Sequence, residues 1–387
     1  MAYDLSKLLV IGISSSALFD SRAEHAIFVK KGVREYVDYQ VTHEREPLAA
    51  GTALPLVRAL LRLNQLDTKS KEPQRLVEVV IVSQMQPEAG LRIMNSCEHH
   101  GLDITRAAFT GGAPVGRYLK TFNVTLFLST NETDVRESLS KGIAAGLLYD
   151  PPDDPNEELD QLRIAFDGDA VIFSGESERV YREGGLEAFV AHERKNAKKL
   201  LPEGPFAPFL KGIAKIQQEF EQGGGEGIPP IQTALVTARG SPSHTRVFLT
   251  LRAWGVKLDE MFFLGGVSKD SILQQFRPHI FFDDQDVHAK PASRLVPSAR
   301  VLTQIEPDMM QRRLPFAGAI PKKTPATKKS LAPAKAPAQK AQPAQKAAPA
   351  QKAPPAQKSA PAPAKKPAKK KAAPAPKKKP VKKGKSS

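Results

Sequence analysis

The sequence repeats itself, and that repeat limits the fold more than any other feature does. Displaced by 153 residues, the chain falls on itself without a gap over about fifty positions. Ile11 meets Ile164, Ala17 meets Ala170, Ser21 meets Ser174, Gly32 meets Gly185, Gly51 meets Gly204 and Pro55 meets Pro208. With one more residue of offset the match resumes: Arg92 falls on Arg246, Gly101 on Gly255, Phe109 on Phe263, Gly111 and Gly112 on Gly265 and Gly266, and Phe122 on Phe276. Glycines, apolar runs and turn positions that coincide over two long windows point to a duplicated structural unit.

Each copy alternates short apolar runs with helical patterns. In the second copy the runs are RIAF, TALVT, EMFFLG and HIFFD, rich in Ile, Val and Phe as strands covered on both faces should be. About sixty residues of helical pattern separate the first two runs, and GGGEGIPP closes that insert. The expected fold class is therefore α/β: two tandem Rossmann-like units with parallel sheets and helical inserts, at residues 1–150 and 160–320, with the second insert at about 175–228. Ligands of such sheets bind beyond the carboxyl ends of the strands. Asp167, Thr237, Gly265, Gly266 and Asp283 all fall there.

Charge divides the chain differently. From Pro321 to Ser387 there are 20 Lys and no acidic residue; the rest of the chain holds the remaining 37 basic and all 41 acidic residues, a balance of −4. The net +16 thus belongs to a tail of Lys, Pro, Ala and Gln, in which Gln-Lys recurs every six residues from 339 to 358. Such a segment buries too little apolar surface to offset its chain entropy, so residues 321–387 are expected to be disordered. Two readings stand for it: an arm that binds nucleic acid or another polyanion by counterion release, or a solubilising tail. Cys97 is the one cysteine, which excludes an intramolecular disulfide and suggests a reducing, cytoplasmic compartment. The N-terminus lacks the charged region and cleavage site of a signal peptide, and no apolar run approaches the ~18 residues of a membrane span, so no membrane partner is expected.

The differences between the copies carry the chemistry. Asp167 and Asp169 correspond to Ser14 and Ser16, Asp283 and Asp284 to Ser129 and Thr130, and Lys269 to Val115, while the hydroxyl of Thr237 corresponds to that of Ser83. Carboxylates at Asp167 and Asp283 can share a hard cation such as Mg²⁺, which takes oxygen ligands and neutralises a phosphate dianion. A carboxylate can attack phosphorus, and a lysine and a threonine hydroxyl can hold the equatorial oxygens. Singly, each residue has a plain structural reading as a turn, cap or solvated group. Together and in order, each at the end of an apolar strand, they make a phosphoryl-transfer site.

This order resembles that of the haloacid dehalogenase superfamily of phosphohydrolases, through DGDAV, VTAR, the lysine of GVSKDS, and FFDD. A closer resemblance, from about Leu8 to Pro315, is to the AMP-preferring cytosolic 5′-nucleotidases of type I, in ISSSALFD, TGGAPVGRYLK, LRIAFDGDAVIFS, LVTAR, LRAWG and RPHIFFDDQ. The tail lies outside that pattern. The resemblance implies a Mg²⁺-dependent hydrolase of nucleoside monophosphates in which Asp167 becomes phosphorylated and Asp169 protonates the leaving 5′-oxygen and then activates water. Thr237 and Lys269 would hold the phosphate. Asp167, the Asp169 backbone carbonyl, Asp283 and Asp284 would serve the metal, and the insert would be a cap over the nucleotide. Phe189, His192 and Arg239 are the candidates for recognising the base.

Two other functions stay open at this point: a sugar-phosphate phosphatase or phosphotransferase using the same chemistry, and a polyanion-binding protein acting through its tail. Homo-oligomer formation is also left open. The first copy, with Ser14, Ser16, Ser83, Gly111, Gly112, Ser129 and Thr130 at its strand ends, has three candidate roles: scaffold, one wall of a shared cleft, or a site for a nucleotide effector.

Overall fold

The computed structural model describes residues 4–66, 75–152, 159–223 and 227–303, so the tail expected to be disordered lies outside the described residues. The first half contains β1 (Leu9–Ile13), β2 (Phe19–Asp20), β3 (Ala49–Ala50), β4 (Val77–Ser83), β5 (Arg106–Phe109), β6 (Leu126–Ser129) and β7 (Ala144–Leu148). The second contains β8 (Leu162–Phe166), β9 (Ile231–Thr237), β10 (Glu260–Phe263), β11 (Ile280–Asp283) and β12 (Ser298–Arg300).

Ten of these strands form one sheet, in the order β10-β9-β8-β11-β12-β7-β6-β1-β4-β5, with β2 and β3 paired apart. Within each half every pairing in this sheet is parallel. The halves meet through β12 and β7, which pair antiparallel with Ala299 opposite Leu148. The tandem units therefore share a single sheet, and their strands run in opposite directions. The carboxyl ends of the first half open at one end of the sheet and those of the second half at the other. That polarity overturns the shared-cleft role for the first copy, because its strand-end hydroxyls face away from the carboxylates of the second.

The halves also share a core. On one face Leu9, Ile11 and Ile13 of β1 belong to the same buried cluster as Ile164 and Phe166 of β8 and Phe282 of β11. The opposite face carries one cluster per half, around Val80 and Phe127 in the first and around Val236 and Phe281 in the second. Helix Ala207–Gln222 belongs to the shared face: Phe209, Leu210, Ile213 and Ile216 are buried, and a Cβ on Gly212 would stand 2.8 Å from Leu9 Cδ1 in the other half. Each such side chain contributes about 1.5–3 kcal/mol by leaving water. The second helix of the expected insert at 175–228 thus packs into the core.

What remains of the insert is helix Glu176–Lys195, which kinks at Gly185 (φ 70°). The matching Gly32 (φ 95°) separates helices Arg22–Lys31 and Val33–Thr42 in the first half. Only glycine takes that left-handed conformation without strain. The chain returns to the sheet at Gly204, where a Cβ would lie 2.4 Å from the Phe173 carbonyl oxygen; at the matching Gly51 it would lie 2.8 Å from that of Ala17. The repeated glycine thus marks a repeated close approach of two backbones. Among the described residues no helix is long and apolar enough to cross a membrane.

Candidate active site

Asp167 is the first residue after β8. Its N–H donates to Phe282 O at 2.8 Å, as Ser14 N–H donates to Leu128 O at 2.9 Å in the first half. The two side chains therefore leave equivalent backbone positions. Lys269 Nζ donates to Asp167 Oδ1 and to Asp283 Oδ2, both at 2.6 Å. Asp283 Oδ1 also accepts from the Gln285 N–H at 2.8 Å. The Thr237 hydroxyl oxygen accepts from the Arg239 N–H at 3.2 Å and flanks the same loop, 3.3 Å from where a Gly168 Cβ would stand. Asp167, Thr237, Lys269, Asp283 and Asp284 are all buried.

Burial sets the electrostatics. Desolvation pushes the carboxyls of Asp167 and Asp283 up, and the Lys269 ammonium pulls both back. Desolvation works against the Lys269 charge too, but the two carboxylates outweigh it and its proton is held more tightly than usual. Asp284 has no such partner. Among the described residues both its oxygens are buried without a hydrogen bond, and desolvation, with the charges of Asp167 and Asp283 behind it, pushes its carboxyl up to about 8. Asp167, Asp283 and Asp284 each offer an oxygen, all within 4.8 Å of one another. Three carboxylates against one ammonium leave formal negative charge in a dry site. An all-oxygen donor set with two orphaned oxygens fits a hard divalent cation.

Asp169 does not join that group with its carboxylate. Arg239 grips it with two bonds, Nε to Oδ2 and Nη2 to Oδ1, each 2.7 Å. The remaining Arg239 nitrogen, Nη1, donates to Glu193 Oε2 at 2.8 Å. Glu193 Oε1 in turn accepts from Arg246 Nη1 and from Ser177 Oγ, both at 2.8 Å. Arg239 is 3% exposed, and each of its guanidinium nitrogens is committed to a carboxylate. The structure thus places this base-recognition candidate within an internal chain of ion pairs. Phe189 lies under the same guanidinium, 5.6 Å from ring centre to Cζ, and His192 Nε2 stands 3.1 Å from Glu176 Oε1. All three base-recognition candidates are thus near the insert helix, though each is already engaged with the protein.

The chain also matches a known family. The 5′-nucleotidase family model fits residues 1–308. The chain belongs to the 5′-nucleotidase family. It is 39% identical over 290 residues to human cytosolic 5′-nucleotidase 1B, a match that covers 74% of this chain and 47% of that protein. The chain therefore spans about half the length of that relative. No solved structure matches it significantly.

Within this 5′-nucleotidase fold the first half is a neutral replica. Ser16 Oγ lies 2.6 Å from Thr130 Oγ1 and 3.2 Å from Ser14 Oγ, and Ser15 Oγ lies 2.8 Å from Ser83 Oγ. The hydroxyls of Ser14, Ser16 and Thr130 pair with one another where the second half holds the carboxylates of Asp167, Asp169 and Asp284, and Val115 stands where it holds Lys269. Reading the sequence missed Glu193, Arg246 and Ser177. A signal was present: the repeat places Arg246 on Arg92 and Glu193 on Gln40, so a buried polar pair could have been suspected at both.

Proposed function

We propose that the chain is a Mg²⁺-dependent 5′-nucleotidase that hydrolyses nucleoside 5′-monophosphates, AMP among them, through a phosphoaspartate on Asp167. One observation carries the reading: Asp167, Asp283 and Asp284 converge within 4.8 Å, and Asp284 has no partner of its own. Mg²⁺ held by Asp167, Asp283, Asp284 and the Asp169 carbonyl would offset the phosphate charge and polarise its oxygens.

The side chains divide the remaining work. An Asp167 oxygen attacks phosphorus and the P–O5′ bond breaks, the electron pair leaving on the nucleoside oxygen. Asp169 gives that oxygen its proton, then takes one from the water that attacks the phosphoaspartate. The P–O bond to Asp167 breaks and phosphate leaves. Lys269 and Thr237 balance the equatorial oxygens, where charge accumulates. The mutual pairing of the first half's hydroxyls supports a scaffold for that half over an effector site. The 20 Lys of the tail support a second, separate activity in binding polyanions. The single buried cysteine and the name of the human relative support a cytosolic location.

Phosphate release from nucleoside monophosphates, with sugar phosphates as competitors, tests the reading. Asp167→Asn should lose several orders of magnitude in kcat, because an amide cannot form the acyl phosphate. Retention of about a tenth of the rate would remove the covalent mechanism. Asp284→Asn should weaken Mg²⁺ binding measured by calorimetry, and full activity in excess EDTA would remove the metal.

A further inference from the structure

Four charged groups from four different elements meet beside the reaction centre. Asp169 lies in the loop after β8 and Arg239 in the loop after β9, while Glu193 is on helix Glu176–Lys195 and Arg246 is on helix His244–Ala253. The bonds run Asp169 to Arg239 to Glu193 to Arg246, with ion-pair distances of 2.7 to 2.8 Å. Glu193 is 1% exposed and Arg246 2%. Two acids and two bases balance, so each buried charge is compensated, and removal of one leaves another exposed to the cost of isolation.

The first half shows what a plain anchor needs. Arg92, the counterpart of Arg246, donates to Gln40 Oε1 at 3.0 Å and to Glu24 Oε1 at 3.1 Å. Gln40 is the counterpart of Glu193, and Glu24 that of Ser177. Both halves thus tie an insert helix to the helix that carries the arginine, Gly90–His99 in the first half and His244–Ala253 in the second, through a carboxylate. The carboxylate, however, sits on different residues. In the first half, among the described residues, it serves Arg92, where Met85 stands for Arg239 and Ser16 for Asp169. In the second half it stands where it reaches two arginines, and the additional one grips Asp169. Anchoring does not require that placement; holding Arg239 does.

We propose that Glu193 is a positioning residue for the reaction: from the insert helix it fixes the Arg239 guanidinium, and through that two-point grip it sets the orientation of the Asp169 carboxyl toward the leaving group. A guanidinium and a carboxylate joined by two parallel bonds are coplanar, so fixing one fixes the other. Glu193 ties down the third nitrogen, which would otherwise leave the arginine free to turn about the pair. The same bonds make the seating of the insert helix a condition for the alignment of Asp169. This inference rests on the proposed role of Asp169 in protonating the leaving oxygen.

The test compares a nucleoside 5′-monophosphate with its analogue bridged by sulfur, whose thiolate leaves without a proton. Glu193→Gln keeps an acceptor for Arg246, as Gln40 does for Arg92, but presents its amide N–H to Arg239, donor against donor. Because Asp169 also activates water in the second step, the readout is the single-turnover rate at which the nucleoside or thionucleoside is released: expected is a loss of about tenfold or more on the oxygen-bridged substrate, with that rate on the sulfur-bridged substrate and the affinity for both nearly unchanged. Arg239→Met, the residue the first half carries, should give the same split, and it carries the test should Glu193→Gln fail to fold. Equal losses on both substrates, or a change confined to affinity, would overturn the inference. Asp169→Asn separates the two levels. If it too fails to distinguish the substrates, the role of Asp169 itself is wrong; if it distinguishes them and the Glu193 and Arg239 variants do not, only the positioning role falls. A wild type that hydrolyses neither substrate overturns the nucleotidase reading.

Discussion

His279, just before β11, has its ring buried, and Nδ1 accepts the Arg163 N–H at 3.1 Å. Desolvation first, then the charges of Arg62 and Arg163, pushes its pKa down to about 4. The unfolded chain, with an ordinary histidine near 6.5, therefore binds a proton that the folded protein refuses. Stability from this residue is complete above about 6.5 and is lost as pH falls toward 4, by up to roughly 3 kcal/mol. Urea midpoints for wild type and His279→Gln between pH 7 and 4 should show a flatter slope in the variant, and parallel slopes would assign the acid sensitivity elsewhere. At this scale the sequence was informative about residue type and weak about partners. Asp167 and Asp283 were legible as candidates because each closes an apolar strand, and Lys269 because it lies in the loop that follows β10. The Asp169–Arg239–Glu193 chain was not, because its bonded partners lie 70 and 46 positions apart, and residue type alone does not say which distant charges neutralise each other.

Elements were legible where both faces are covered by apolar side chains. LRIAF, IQTALVT and IFFD became β8, β9 and β11. The strands that join the halves were missed, since AAGLL and SAR are short and poor in β-branched residues. Helix Ala207–Gln222 was assigned to the insert because an amphipathic pattern does not say which surface its apolar face meets. Gly204 was legible as a match with Gly51, and the structure supplies the reason. Gly204→Ala puts a methyl 2.4 Å from the Phe173 carbonyl oxygen and 2.5 Å from that of Val171, both backbone atoms with little freedom to yield. We expect a loss of about 2 kcal/mol or more in denaturant unfolding. An unchanged midpoint would mean that the return of the chain to the sheet is loose.

At the scale of the whole molecule, the continuous cluster linking β1 with β8 and β11 makes the two halves one cooperative body, whereas composition sets the tail apart. Removing residues 321–387 should leave thermal unfolding and phosphate release unchanged while abolishing salt-sensitive retention on DNA or RNA. Equal retention without the tail would place the polyanion site on the body. The fusion of the halves also bears on how motion is distributed. Both halves use the same backbone plan, yet among the described residues the second alone holds a cluster of buried carboxylates, while the first holds hydroxyls that pair at 2.6 to 3.2 Å. Like-charge repulsion lowers the cost of a local opening without altering the global one. Amide protons of β8 and β9 should therefore exchange with solvent deuterium faster than those of β1 and β4 in chelator, and Mg²⁺ should slow the first pair and leave the second alone. Each molecule in such an experiment carries, at the opposite end of the same sheet, an uncharged counterpart of its own acidic cluster.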